Sequence, residues 1–303
     1  RPCWSQFEKL KVKFNVKKRY KMKLLTCIGA RPQFIKAAPV SKALIEAGIE
    51  EVLVHSGQHY DANMSDIFWQ ELGIPEVKHH LQVGSGTHAQ QTSQIMVKFE
   101  KILLDEESHV DAVLVYGDTN TTLGVALVAS KLNIPIIHVE AGLRSFNREM
   151  PEEINRILTD NISEYLFCSS EVSIAQLKKE NIQGKAYKVG DVMYDAFLLF
   201  SEMSQDKPSN KISEDPFSIF TLHRQSNTKD ANQVSRIIRQ LEAVPHKVLW
   251  PIHPRIAQWK DDLEIPSNVE LIEPIGYLEM LQALQECKFV FTDSGGLQKE
   301  AYW

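Results

Sequence analysis

Three carboxylates fall in one stretch of the chain where acid–base chemistry would need them. Asp118 follows the apolar run 112–115 and the turn Tyr116-Gly117. Glu140 closes a second apolar run, 134–139, and Glu152 lies in the segment Met150-Pro151-Glu152-Glu153. Between the two runs, residues 123–132 place apolar side chains at helical spacing. Strand, turn, helix, strand is the pattern of a parallel βαβ unit. Ligands of open parallel sheets bind beyond the carboxyl ends of the strands. The spacing therefore predicts that Asp118 and Glu140 face one crevice. Glu152 joins them from the next loop, where Pro151 suits the first turn of a helix. Moving a proton on and off carbon requires a carboxyl group whose proton affinity is raised by burial or a like-charged neighbour. Three converging acids offer that chemistry.

Cations are expected at neighbouring strand ends. A first strand over 23–28 runs into Gly29-Ala30-Arg31-Pro32 and a helix over 33–47, whose N-terminus favours anions. Arg31 and Lys36 add positive charge there. The glycine spacing of a dinucleotide fingerprint is missing, so no nicotinamide cofactor is expected. Later in the chain, a strand over 217–222 ends at His223-Arg224, and one over 248–251 ends at His253-Pro254-Arg255. A strand over 289–292 ends at Asp293-Ser294-Gly295-Gly296, where a helix begins. Backbone N–H groups of Ser294, Gly295 and Gly296 can cradle phosphate. Glu300, one turn inside, can accept the hydroxyls of a ribose, and His223, Arg224 and Arg255 supply charge for a diphosphate. The pair His55 and His59 has a spacing of four, but Gly57 between them spoils a shared helical face, so no metal is expected.

Strands alternate with helices through two series, and the most polar piece, 205–215, reads as a loop near their junction. The predicted architecture is α/β: two Rossmann-like doubly wound domains facing a cleft, 22–190 catalytic and 191–303 nucleotide-binding, the second incomplete because the chain stops one turn into its last helix. At 303 residues, with 43% hydrophobic and 24% charged, two such cores are affordable and no apolar run reaches the ~20 residues of a membrane span. Neither a membrane nor a nucleic-acid partner is expected. The net charge is −5, yet the first 21 residues carry eight basic side chains against Glu8. That leader is expected to be a poorly ordered extension. Cys3, Cys27, Cys168 and Cys287 lack metal or redox spacing and read as free thiols of a cytoplasmic protein.

Seven ordered motifs resemble the non-hydrolysing UDP-N-acetylglucosamine 2-epimerases, enzymes of the GT-B arrangement: GARPQFIK (29–36), GDTNTT (117–122), HVEAGLRS (138–145), MPEEINR (150–156), LHR (222–224), HPR (253–255) and TDSGGLQKE (292–300). The resemblance implies reversible epimerisation at C2 of UDP-GlcNAc, or a close UDP-HexNAc derivative. UDP would be eliminated to a 2-acetamidoglucal and added back. It places Asp118, Glu140, Glu152 and His223 on catalytic positions. Arg31, Lys36, Arg224, Arg255, Ser294, Gly295, Gly296 and Glu300 fall on substrate-binding ones. No cofactor is implied, and family members of full length are expected to be homodimers. Ser226, Ile275 and Met280 depart from the family pattern. Alternatives are a hydrolysing epimerase, a GT-B glycosyltransferase, and an inactive nucleotide-sugar binder.

Overall fold

A computed structural model describes residues 22–57, 74–105, 109–205, 212–224, 227–252 and 254–303. The basic leader, residues 63–72 (whose pattern predicts a helix), His59, Ser226 and His253 lie outside these, as do the side chains of Arg31 and Arg255. The chain divides into two compact units, one up to Ala196 and one from Phe197 to Trp303.

The first unit is built on β1 (Lys23–Ile28), β2 (Glu50–His55), β3 (Val77–His80), β4 (Ala112–Tyr116), β5 (Ile136–Val139), β6 (Tyr165–Cys168) and β7 (Lys185–Lys188). They form one sheet in the order β3-β2-β1-β4-β5-β6-β7, every neighbouring pair parallel. The crossovers are α1 (Arg31–Glu46), α2 (His88–Asp105), α3 (Asn120–Lys131), α4 (Pro151–Ile162) and α5 (Glu171–Lys179). Central strands are buried along their whole length, the mark of a sheet covered on both faces. On one face Ile95 and Phe99 of α2 pack with Val125 and Ala129 of α3 over Leu25, Val113 and Val115. Each side chain buried so fully stabilises the fold by roughly 1.5–3 kcal/mol. Strand β3 was not expected: its sequence, Val-Lys-His-His, has no apolar run because it sits at the sheet edge, half exposed.

His55, at the carboxyl end of β2, is buried and packs against the Phe34 and His80 rings. Burial, with His80 beside it, lowers its pKa from 6.5 to about 4. Between those values the unfolded chain binds the extra proton and the folded chain refuses it. Stability is therefore complete above 6.5 and declines as the pH falls toward 4, by up to roughly 3 kcal/mol. Urea unfolding across that range should show this slope for wild type and a flatter one for His55→Phe.

The second unit has β8 (Phe217–Thr221), β9 (Lys247–Pro251), β10 (Val269–Ile272) and β11 (Val290–Thr292) in the order β10-β9-β8-β11, again all parallel. The helix α6 (Val192–Gln205) passes from one unit's residues to the other's. Then come α7 (Ala231–Ile238), a short α8 (Pro254–Ala257), α9 (Tyr277–Glu286) and α10 (Gly295–Tyr302). Trp250, fully buried, meets Phe220 at 5.0 Å in a T-shaped contact at the centre of this core. The sequence pattern predicts one helix over 232–243; its second half is instead a tighter 3-10 segment, Arg239–Ala243. Pro245 disfavours helical backbone at Val244, which is extended (ψ 123°), so the last turn has nothing to continue into. Ile275 and Met280 pack against the cluster of Phe217, Ile219, Leu249 and Ala283. Cys27 and Cys168 are buried free thiols and Cys287 is half-buried. Burial pushes the Cys168 thiol up to about 12.

Candidate active site

In the seven-stranded sheet the chain turns one way from β1 to β2 and the other way from β4 to β5, so the switch point lies between β1 and β4. Gln33, on the first turn of α1, clamps the two strand ends together. Its Oε1 accepts from the N–H groups of Gly29 (2.8 Å) and Ala30 (3.1 Å). Its Nε2 donates to the Tyr116 carbonyl at 2.9 Å and lies 3.1 Å from the hydroxyls of Thr119 and Thr122. One turn further along α1, the Lys36 ammonium pairs directly with the Glu140 carboxylate. The Asp118 carboxylate pairs with Arg156 of α4. The Lys36–Glu140 pair is largely shielded from water, whereas Asp118 is about a third exposed.

Burial alone would push the Lys36 pKa down. Glu140, with Asp118 and Asp191 adding to its field, holds it above the ordinary value instead. Lys36 thus ties the expected acids to a further one, Asp191, whose carboxylate also accepts from the Met193 N–H at 3.0 Å. Glu140 and Asp118 each hold a cation, partners that the sequence pattern of converging acids does not by itself reveal. Glu152 is exposed in the first turn of α4 and makes no hydrogen bond or ion pair among the described residues. It stands four residues before Arg156, hence on the helix face that reaches Asp118. Its neighbour Glu153 is 1% exposed and structural. Glu153 accepts from the N–H groups of Ser145 and Phe146, both at 2.9 Å, and from Arg156 at 2.7 Å.

Gly117 makes the turn between β4 and Asp118 with φ +63°, a region that costs a side-chain-bearing residue about 1–2 kcal/mol. A Cβ there would sit 3.4 Å from Glu140 Oε2 and 3.6 Å from Lys36 Nζ. Gly117→Ala should therefore lower stability by about that amount, read from the urea midpoint, and disturb the ion pair as well. Glu140 is also left-handed (φ 69°), a strained state found mostly at functional positions.

In the second sheet the switch point lies between β8 and β11, and Thr221 and Thr292 hydroxyls join those strands at 2.6 Å. His223 and Arg224 follow β8; Asp293 and Ser294 follow β11. Ser294 caps α10 by accepting from the Leu297 N–H at 3.3 Å. A Cβ at Gly295 would meet nothing within 4 Å, and one at Gly296 only the Ser294 hydroxyl at 3.9 Å. The backbone at this helix start therefore faces open space, where an anion can approach its N–H groups. Glu300 is buried and its Oε1 accepts from the Tyr277 hydroxyl at 2.9 Å. The Arg224 side chain is exposed.

Within the first unit the structure brings together Lys36, Asp118 and Glu140. Within the second it brings together His223, Arg224, Ser294, Gly295 and Gly296, with Glu300 one turn on. Gln33, Arg156, Asp191 and Asp293 were not singled out from sequence. Arg156 had a signal: it stands three residues after Glu153, the spacing of a helical ion pair.

Parallel α/β units carrying paired acids at one switch point and an open helix start at another define the class, Rossmann-like α/β proteins. A family model described as UDP-N-acetylglucosamine 2-epimerase matches residues 42–303. A UDP-2,3-diacetamido-2,3-dideoxy-D-glucuronate 2-epimerase of Pseudomonas aeruginosa is 50% identical over 93% of this chain and 81% of its own length. A UDP-N-acetylglucosamine 2-epimerase of Methanocaldococcus jannaschii is 40% identical over 92% and 81%. The crystal structure of the M. jannaschii enzyme in complex with UDP-GlcNAc and UDP has a TM-score of 0.84 at 41% identity, covering 92% of this chain and 81% of that one. The chain belongs to the UDP-N-acetylglucosamine 2-epimerase family.

Proposed function

We propose that this chain interconverts UDP-GlcNAc and UDP-ManNAc, or a close UDP-HexNAc pair, by inverting C2. The observation that carries the reading is the ion-paired cluster of Lys36, Glu140 and Asp118 at the carboxyl edge of the seven-stranded sheet. A carboxylate of this edge removes the C2 proton while the C1–O bond to UDP breaks, leaving a 2-acetamidoglucal and UDP. Re-addition of UDP at C1 with protonation of C2 from the other face gives the epimer. Glu152, exposed on the Arg156 face of α4, is suited to proton transfer with substrate; Glu153, fully engaged, is not. The departing diphosphate binds at Ser294, Gly295 and Gly296, with His223, Arg224 and Arg255 countering its charge. Glu300, one turn inside α10, accepts a ribose hydroxyl. Arg31 joins Lys36 in holding substrate.

The greater identity to the Pseudomonas enzyme, 50% against 40%, favours a second reading in which the sugar is a 2,3-diacetamido uronate. Incubation of the purified chain with each UDP-sugar in D2O tests both. Epimer carrying deuterium at C2 is the expected result, and the ratio of kcat/KM values decides the sugar. Free ManNAc would mean hydrolysis, and neither product would sink the proposal. A cytoplasmic location and a homodimer complete it; no described helix is long and apolar enough to cross a membrane. Light scattering at several concentrations tests the dimer.

A further inference from the structure

Asp293 collects more hydrogen bonds than any ordinary loop carboxylate needs. The His223 backbone N–H lies 3.1 Å from its Oδ1, and the Arg224 N–H donates to Oδ2 at 2.8 Å. Asn227 Nδ2 donates to the same Oδ2 at 3.0 Å. The His223 ring adds a fourth partner, with Nδ1 2.8 Å from Oδ1. Asp293 is 11% exposed while His223 is 43% exposed. The carboxylate therefore lies beneath the ring, and the ring edge bearing Nε2 makes no hydrogen bond among the described residues.

We propose that Asp293 is a positioning residue for His223: it accepts a hydrogen bond from Nδ1–H and so presents Nε2 outward toward the diphosphate of the substrate. This rests on the UDP-sugar reading given above. The physical reason is the one that makes carboxylate–imidazole pairs recur. An ionised acceptor at Nδ1 fixes the tautomer and the ring plane. Burial alone would raise the Asp293 pKa, but the N–H groups of Arg224, Asn227 and His223 together with the imidazole hold it below the ordinary carboxylate value. The ionised form of the carboxylate is thus the one this site favours. Its place is set by the sheet: β8 and β11 are adjacent, so the residues just past their ends meet.

Asp293→Asn keeps one oxygen for the Arg224 N–H but turns an amide N–H toward Nδ1. The expected result is a fall in kcat of about 10²-fold, the low end of what a positioned proton-transfer group contributes, with KM little changed. In the His223→Gln background the same substitution should cost nothing further, because Asp293 acts through the ring. Nitrogen NMR of the histidine ring should report an Nδ1-protonated form in wild type and a shift toward Nε2–H in Asp293→Asn. Equal losses of kcat in both backgrounds, or an unchanged ring spectrum, would overturn the proposal and leave Asp293 a turn-forming residue only. If wild type makes no epimer, the functional reading fails instead, while the ring spectra still report on the pair.

Discussion

Asp160→Asn is expected to destabilise the first unit by about 3–5 kcal/mol, measured as a lowered urea midpoint at unchanged slope. Asp160 is completely buried on α4 and accepts from three directions. His138 Nδ1 lies 2.8 Å from Oδ1, Arg144 Nη1 donates to Oδ2 at 2.7 Å, and the Gly142 N–H donates to Oδ2 at 3.1 Å. Arg144 is itself 2% exposed and its other arm is held by Glu180 at 2.5 Å. An amide of the same shape keeps one neutral oxygen where Arg144 and the Gly142 N–H now meet a carboxylate, and turns its NH2 toward His138 Nδ1. Removing the charge also strands an arginine whose ordinary cost of burial was being met by two carboxylates. Activity should fall too, since His138 Nε2 lies 2.8 Å from the Gly117 carbonyl and the bonded loop begins at Glu140. Loss of activity with full stability would mean that this cluster acts on chemistry rather than on the fold.

That cluster shows where the sequence is readable and where it is not. The βαβ unit was legible because β4 and β5 are buried on both faces and read as unbroken apolar runs. Strand β3 was not, because an edge strand needs no such run. Asp118 and Glu140 were legible as strand-end acids and Lys36 as a cation of the first loop; the pairing of Lys36 with Glu140 and of Arg156 with Asp118 was not, because these partners lie 104 and 38 residues apart in sequence. The dipeptide Glu152-Glu153 is the sharpest case. Sequence presents two equivalent acids, and helical rotation alone separates them. One is exposed beside the Arg156 face, and the other is buried capping the loop of Ser145 and Phe146. In the second unit, the glycine pair announced an open helix start, whereas Asp293 stayed hidden because its partners lie 70 residues upstream on an adjacent strand end.

The same reasoning singles out Asp118 for the largest effect on turnover. Asp118→Asn should lower kcat by about 10²- to 10⁴-fold, the range supplied by a positioned acid or base, while leaving the urea midpoint close to wild type. Stability is spared because Asp118 is 32% exposed and Arg156 keeps its second partner, Glu153, after the change. The amide preserves the shape of the side chain, so the turn made by Gly117 is unaffected. What it removes is a carboxylate able to carry a proton, together with one of the three negative charges felt by Lys36. Exchange of the C2 hydrogen in D2O separates binding from chemistry: the variant should still bind UDP but incorporate no deuterium at the wild-type rate. Near-normal exchange in Asp118→Asn would remove Asp118 from the reaction and confine proton transfer to Glu140, Glu152 or Asp191, which the corresponding Gln or Asn variants would then tell apart.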